Sequence, residues 1–166
     1  MSEAIAGIFF ASILLYAVLM DVLSLRIPNL VSIALIIGFF VYALAARSDW
    51  SLKAHLFAAA ITFAIAFILY SIGWFGGGDA KLVTAIMLWA GPNGGATFLV
   101  RAALAGGAVA LAVMLTGRLL RVYPSIAQAL PEWGLVRWAR LGVFPYSIPL
   151  AAAALSVLPS ILAKPA

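Results

Sequence analysis

Six long apolar runs constrain this chain more than any other feature of its sequence. They fall at residues 4–20, 30–46, 54–73, 80–91, 96–117 and 146–163. About 20 apolar residues in a helix cross the hydrocarbon core of a bilayer, and a backbone in lipid must satisfy its own hydrogen bonds. Because the runs lack the alternation of a membrane barrel, the sequence predicts an all-α integral membrane protein with about six transmembrane helices.

The composition agrees with a membrane protein. Of the 166 residues, 66% are hydrophobic and 9% are charged, whereas a soluble domain carries about a quarter charged residues. The length predicts a single transmembrane domain over residues 1–166. The chain has no cysteine, which excludes thiolate metal sites and a cysteine nucleophile. We therefore expect neither a metal nor another cofactor.

The basic residues predict the orientation. The net charge of +5 indicates membrane topology rather than a nucleic-acid partner. With six spans, one side carries Arg26, Lys81, Arg118, Arg121, Arg137 and Arg140, and the other carries Arg47, Lys53 and Lys164, with Arg101 near it. The positive-inside rule makes the first side cytoplasmic and places both termini outside.

The connection over residues 117–146 predicts a lipid contact. It mixes four arginines with Trp133 and Trp138. This mixture is typical of a segment in the headgroup layer, where arginine contacts anionic lipid and tryptophan lies at the boundary. Membrane lipid is therefore a predicted partner. The turn over residues 91–95, "GPNGG", is expected to end the short fourth run.

Two of the five acidic residues, Asp21 and Asp79, abut apolar runs. Charges at that depth are costly and usually functional, whereas Glu3, Asp49 and Glu132 are predicted to be solvated. Counting the crossings places Asp21 at the cytoplasmic end of the first helix and Asp79 at the same end of the fourth. The two carboxylates can therefore face each other, although each could instead pair with a local cation.

Paired carboxylates predict hydrolysis of an amide. One takes a proton from water as the water attacks the carbonyl, while the other polarises the carbonyl and protonates the leaving amine. Asp79 begins a helix and Asp21 ends one, so the helix dipoles predict that Asp79 is the resting base.

Three glycines, Gly76 to Gly78, precede Asp79. We expect them to let the backbone adopt a positive φ and to let a substrate strand approach closely. The alternative is that they form only a hinge between two spans.

Both aspartate regions resemble the motifs of one family. The stretch from Gly76 to Leu82, "GGGDAKL", resembles the G-x-G-D-x-K-L motif of the type IV prepilin peptidases. Asp21 followed by "RIPN" at residues 26–29 resembles the first aspartate of that family with its downstream I-P-N. The late "FPYSIPLAAA" at residues 144–153 is similar to a weaker P-Y-G element, with Ser147 in place of the glycine.

The resemblance implies an aspartic endopeptidase with a G-x-G-D-type bundle, a multi-pass protein of the bacterial inner membrane. Such an enzyme cleaves the short basic leader from type IV or Flp-type prepilins and pseudopilins at the cytoplasmic face, after a glycine, during pilus assembly. Asp21 and Asp79 would be the catalytic pair. Gly76 and Gly78 would shape the turn at the substrate.

The other motif residues have two interpretations each. Arg26, Pro28 and Asn29 would hold the first connection at the substrate, but Pro28 would equally suit the start of the second helix. Lys81 is a further predicted substrate contact that could instead reach lipid phosphate. His55 lies in an outward connection, where we expect no ligand.

The chain departs from the larger relatives, which carry a cysteine-containing N-terminal domain and methylate the new amino terminus. We expect cleavage without methylation and no methyltransferase domain, as in the short CpaA or TadV type of the Flp/Tad (tight-adherence) pilus systems. Two alternatives stay open. One is a presenilin-like general intramembrane protease, which shares G-x-G-D, and the other is a small transporter that relays protons or cations through Asp21 and Asp79.

Overall fold

The computed structural model of the chain describes residues 2–46 and 51–162. In these ranges it contains helices and no strands, which confirms the predicted all-α class. The helices are α1 (Ser2–Ser24), α2 (Asn29–Ala46), α3 (Leu52–Ser71), α4 (Gly77–Val122), α5 (Pro124–Ala129), α6 (Gly134–Leu141) and α7 (Ser147–Leu162). The sequence predicts that Asp49 is solvated and that Arg47 and Lys164 lie on the outer side. These three residues lie outside the described residues.

Local sequence explains where several helices start and stop. Pro28 immediately precedes α2, and its carbonyl accepts the N–H of Val31 at 3.0 Å. Ser51 caps α3, because its hydroxyl accepts the N–H of Ala54 at 3.3 Å. Helix α6 ends at Gly142, which has the left-handed conformation (φ 67°) that favours glycine at a helix end.

Helix α4 is broken at Gly91, where φ is 58° and ψ is −163°. Val83 and Ala102 line the same cavity, although a straight helix would separate residues 19 positions apart by about 28 Å. The chain therefore folds back at Gly91, and α4 consists of a first arm (residues 77–90) and a second arm (residues 92–122). The reversal is tighter than the predicted five-residue turn, because residues 92–95 are already helical.

His55 stabilises this break. Pro92 has no N–H, so the carbonyl of Leu88 lacks its helical donor. His55 Nδ1 lies 2.9 Å from that carbonyl oxygen, and a Cβ at Gly91 would overlap the imidazole. The role of His55 is therefore to satisfy the end of the first arm of α4, which the sequence did not indicate.

An aromatic cluster around Trp89 holds α1, α2 and the first arm of α4 together. The Trp89 indole N–H donates to the carbonyl of Leu35 at 2.8 Å, and the ring contacts Phe10 and Tyr42 at centroid distances of 5.1 and 5.8 Å. Trp89 lies ten residues beyond Asp79, or about 15 Å along the helix. This aromatic cluster thus lies away from the end at which the two aspartates are found, whereas the core as a whole extends to Ala80, next to Asp79.

The apolar exterior fits a membrane protein. Helices α1, α3 and α4 are long and apolar enough to cross a membrane, and α2 and α7 are shorter apolar helices. Leu15, Leu44 and Leu104 face outward with 70–80% of their surface exposed, an arrangement that is typical of a lipid-facing surface. Six spans stay a prediction.

Helices α5 and α6 form the segment for which the sequence predicted a lipid contact. No residue of α6 is buried. Glu132 is exposed, as predicted, and pairs with Arg140. The segment packs on the second arm of α4, where a Cβ at Gly117 would lie 3.2 Å from the carbonyl oxygen of Ala139. It leads the chain back to the start of α7.

Candidate active site

The two aspartates singled out in the sequence come together between distant elements. Asp21 lies one turn before the end of α1 and is buried, with 6% of its surface exposed. Asp79 lies in the first turn of α4 and is half-buried. The two carboxylates lie within electrostatic range, because the charge of Asp21 acts on Asp79. The structure therefore brings to the same end of the bundle two acids that are 58 positions apart in the chain.

The alternative of local ion pairs does not hold. Within the described ranges, the one salt bridge joins Arg140 and Glu132. Lys81 Nζ instead donates to Asn29 Oδ1 at 2.9 Å. Arg26 is exposed, and Asp21 bonds to the backbone of α7.

Asp21 Oδ2 accepts the backbone N–H of Ser147 at 3.1 Å, in a buried contact. Ser147 is the first residue of α7, so this carboxylate also lies at a helix N-terminus. Asp21 ends α1 and Asp79 begins α4, as predicted, but the N-terminus of α7 also acts on Asp21. That Asp79 is the resting base stays a prediction, which the helix ends alone no longer support. The late element over residues 144–153 therefore contacts Asp21 through its backbone, although Ser147 stands in place of the glycine of the P-Y-G element.

The Ser147 side chain adds a hydroxyl next to Asp21. Ser147 is 0% exposed, and its Oγ has no hydrogen-bond partner in the described part of the chain. A buried polar atom without a partner usually marks a place where water or a ligand binds. The hydroxyl is thus a buried polar group in the residue that bonds Asp21, and it could bond to a water or a ligand there.

The glycines before Asp79 act through packing, not through unusual backbone angles. Gly76 caps α4 with φ −72° and ψ 141°, and Gly77 and Gly78 also lack a positive φ. The expectation of a positive φ at residues 76–78 is therefore wrong, and the connection has that conformation at Gly73 (φ 77°) instead. A Cβ at Gly76 would lie 2.6 Å from Asp79 Oδ2. Glycine leaves room there for the Asp79 carboxylate, and a side chain at residue 76 would displace this carboxylate from its position over the cap.

Gly78 lies where the glycine-rich stretch before Asp79 packs against the connection that follows Asp21. A Cβ at Gly78 would lie 3.1 Å from Cβ of Ile27, so the first turn of α4 packs directly on the α1–α2 connection. The hydrogen bond between Lys81 of α4 and Asn29, the first residue of α2, stabilises the same packing contact. Together these contacts hold the connection that follows Asp21 against the helix that begins at Asp79.

The α1–α2 connection itself is strained. Leu25 has φ 53°, a left-handed conformation that is uncommon and costs energy for a residue other than glycine. Its N–H donates to the carbonyl of Asp21 at 2.7 Å. The strained turn thus ends α1 directly after the buried acid.

Tyr146 closes one side of the site. Its ring meets Phe75 edge-on at 5.4 Å, and a Cβ at Gly106 would lie 2.7 Å from its hydroxyl oxygen. The negative charge of Asp79 acts on its phenol. Tyr146, Phe75 and Ile27 were not identified from the sequence as site residues. The late "FPYS" stretch was the available signal for Tyr146.

The described residues contain no cluster of three or more His, Cys, Asp or Glu side chains able to hold a metal. Chemically, the site offers two carboxyl groups, a backbone N–H, a hydroxyl and a phenol.

Comparison with known proteins assigns the family. No curated protein and no solved structure matches the chain. The sequence model of the type IV leader peptidase family matches residues 8–111, which is more than half of the chain and includes both Asp21 and Asp79. The chain therefore belongs to the type IV leader peptidase family.

Proposed function

We propose that this protein is an aspartic endopeptidase that cleaves the leader peptide from type IV or Flp-type prepilins, with Asp21 and Asp79 as the catalytic pair. Its family supports a leader-peptidase function. The observation that carries the residue assignment is the interaction of the two acids across 58 positions, at a point where α7 also supplies an N–H to Asp21.

The proposed reaction uses a water molecule between the carboxyl groups. One aspartate accepts a proton from this water as its oxygen attacks the scissile carbonyl carbon. The other aspartate, which is protonated, donates its proton to the carbonyl oxygen. As the C–N bond breaks, the leaving nitrogen takes the proton that the first aspartate received from water, and the second aspartate regains its proton from the hydroxyl that becomes the new carboxyl group. The proposed reaction therefore needs one carboxyl group in its ionised form and the other in its protonated form.

The glycines and the first connection act in this scheme as positioning groups. Gly76 lies against Asp79 and Gly78 against Ile27 of the α1–α2 connection. Lys81 bonds to Asn29, the first residue of α2, and Pro28 immediately precedes that helix. We therefore assign them to holding the two acids in place and not to gripping substrate. Arg26 is exposed in the connection that follows α1 and stays a proposed substrate contact.

The orientation and the pathway belong to the same proposal. The excess of Arg and Lys at the end that carries the aspartates supports action at the cytoplasmic face of the inner membrane. The lack of cysteine supports cleavage without methylation, as in the short enzymes of Flp/Tad pilus systems. The substrates would be prepilins and pseudopilins with short basic leaders.

Reconstitution with a prepilin tests the proposal. The purified protein in liposomes is mixed with an Flp-type prepilin, and the products are read by mass spectrometry. A single cut that releases the leader supports the proposal. Cuts scattered within transmembrane segments of unrelated proteins would favour the general intramembrane protease, and ion flux without a new peptide would favour the transporter.

A further inference from the structure

The hydroxyl of Ser147 lies in the interior of the bundle without a protein partner. Ser147 is 0% exposed, and its Oγ makes no hydrogen bond within residues 2–46 and 51–162. Buried polar groups in folded proteins are nearly always hydrogen-bonded, to protein or to ordered water. The proposed reaction gives this hydroxyl no role.

The hydroxyl does not cap α7, which is the usual structural role of a serine at the start of a helix. Such a serine accepts the N–H of the residue two or three positions further along the chain. Pro149, two positions on, has no N–H. The N–H of Leu150, three positions on, donates to the carbonyl of Tyr146 at 3.3 Å. A helix cap therefore does not explain the serine.

Asp21 is the polar side chain that lies at Ser147. Its Oδ2 accepts the N–H of Ser147 at 3.1 Å, and the Oγ of a serine lies within about 4 Å of its own nitrogen. Ser147 Oγ and Asp21 Oδ2 are therefore at most about 7 Å apart, and no direct hydrogen bond joins these two atoms. A water with two hydrogen bonds of about 2.8 Å joins polar atoms up to about 5.5 Å apart, which covers most of this range.

We propose that Ser147 is a positioning residue whose hydroxyl, together with the Asp21 carboxyl group, holds one buried water molecule. Two polar partners meet the minimum that a buried water needs. The water then lies on one acid of the proposed catalytic pair before the substrate arrives. Its effect on cleavage rests on the proposed peptidase function, in which water attacks the scissile carbonyl, whereas the water site itself does not depend on that function.

A structure of the purified protein in lipid nanodiscs, at a resolution that shows ordered water, tests the site without reference to activity. The wild-type protein should show one water within hydrogen-bond distance of Ser147 Oγ and of a carboxyl oxygen of Asp21. This water should be lost in Ser147→Ala, while the backbone N–H still bonds Asp21. A direct bond between the hydroxyl and Asp21, no water in the wild-type protein, or the same water in Ser147→Ala would overturn the proposal.

Cleavage of a prepilin tests the consequence for the reaction. Ser147→Ala should lower kcat about fivefold, as expected for the loss of one hydrogen bond, with KM within about twofold of the wild-type value. Ser147→Gly also keeps the N–H and leaves space for a second water in place of the hydroxyl. Its kcat should therefore recover to within about twofold of the wild-type value. Equal loss in the two variants would mean that the side chain only fills space, and would overturn the positioning role.

The matched control is Ser32→Ala. Ser32 lies in α2 and carries the other buried hydroxyl without a partner among the described residues, and it makes no hydrogen bond to either aspartate. Its kcat should stay unchanged, and a fall like that of Ser147→Ala would overturn the specific role of Ser147. If the wild-type protein cuts no prepilin, the peptidase function fails, and the presence or absence of the water still decides the site.

Discussion

The backbone N–H of Ser147 donates a hydrogen bond to Oδ2 of Asp21, at 3.1 Å and across 126 positions of the chain. The contact brings the start of α7 to a buried acid near the end of α1. Tyr146, the residue immediately before Ser147, interacts with the charge of Asp79. The hydrogen bond from Ser147 fixes one oxygen of the Asp21 carboxyl group. The position of α7 is therefore part of the proposed catalytic geometry, and not only of the packing.

Removal of that donor should slow cleavage. Ser147→Pro deletes the N–H at the first position of a helix, where proline is otherwise tolerated. Because hydrogen bonds to charged groups contribute about 1.5–3 kcal/mol, we expect kcat/KM to fall about 10–100-fold. Ser147→Ala keeps the N–H and should lose less activity. The measurement is a prepilin cleavage time course at matched membrane accumulation, and equal activity of the two variants would contradict the role of the N–H.

The three glycines before Asp79 should differ in tolerance. Gly76→Ala should suppress cleavage, because its Cβ would lie 2.6 Å from Asp79 Oδ2, and so should Gly78→Val, which meets Ile27. Gly77→Ala should stay measurably active, because it meets only the half-exposed ring of Tyr70, at 3.2 Å. Cleavage rates of the three variants check this order. Equal sensitivity at all three positions would favour a hinge.

The adjacent glycines Gly106 and Gly107 provide a matched test of Tyr146. Gly106→Ala would place a Cβ 2.7 Å from the Tyr146 hydroxyl oxygen, whereas a Cβ at Gly107 meets nothing within 4 Å. Gly106→Ala should destabilise the protein by about 1–3 kcal/mol and lower cleavage. Gly107→Ala should leave cleavage intact and stabilise the helix by up to about 1 kcal/mol. Thermal unfolding in detergent and prepilin cleavage measure the two effects, and matching results for the pair would contradict close packing at Tyr146.

His55 should matter for stability more than for chemistry. His55→Ala would leave the carbonyl of Leu88 without its donor beside Pro92, which costs about 1–3 kcal/mol for a buried group. Lys53→Ala, at an exposed position of the same helix, is the control and should leave the unfolding temperature unchanged. An unchanged unfolding temperature for His55→Ala would mean that the bond does not stabilise the break in α4.

The sequence predicted the parts of this fold that depend on local composition. Long apolar runs predict helices wherever they occur, and the interruption of those runs by Asp21 and Asp79 was enough to indicate a paired site. The break at Gly91 was also visible, as a turn in "GPNGG". These features need no knowledge of which helices become neighbours.

The parts that the sequence did not reveal depend on long-range packing. No local pattern indicates that Ser147 reaches Asp21 or that His55 reaches Leu88. The glycines at residues 76–78 were given the wrong reason, since glycine serves both for unusual φ and for close contact, and only the neighbours distinguish the two. Lys81 and Asn29 bond to each other, a pairing that is invisible while the two motifs are considered separately.

Cleavage by the Asp21→Asn and Asp79→Asn variants tests the central claim most directly. Each substitution keeps the shape of the side chain and removes a carboxyl group that the proposed reaction needs for proton transfer. Co-expression with an Flp-type prepilin, followed by mass spectrometry of the pilin, gives the readout at matched accumulation in the membrane. The wild-type protein should remove the leader, and both variants should leave the precursor at full length. Near-normal processing by either variant would contradict the account.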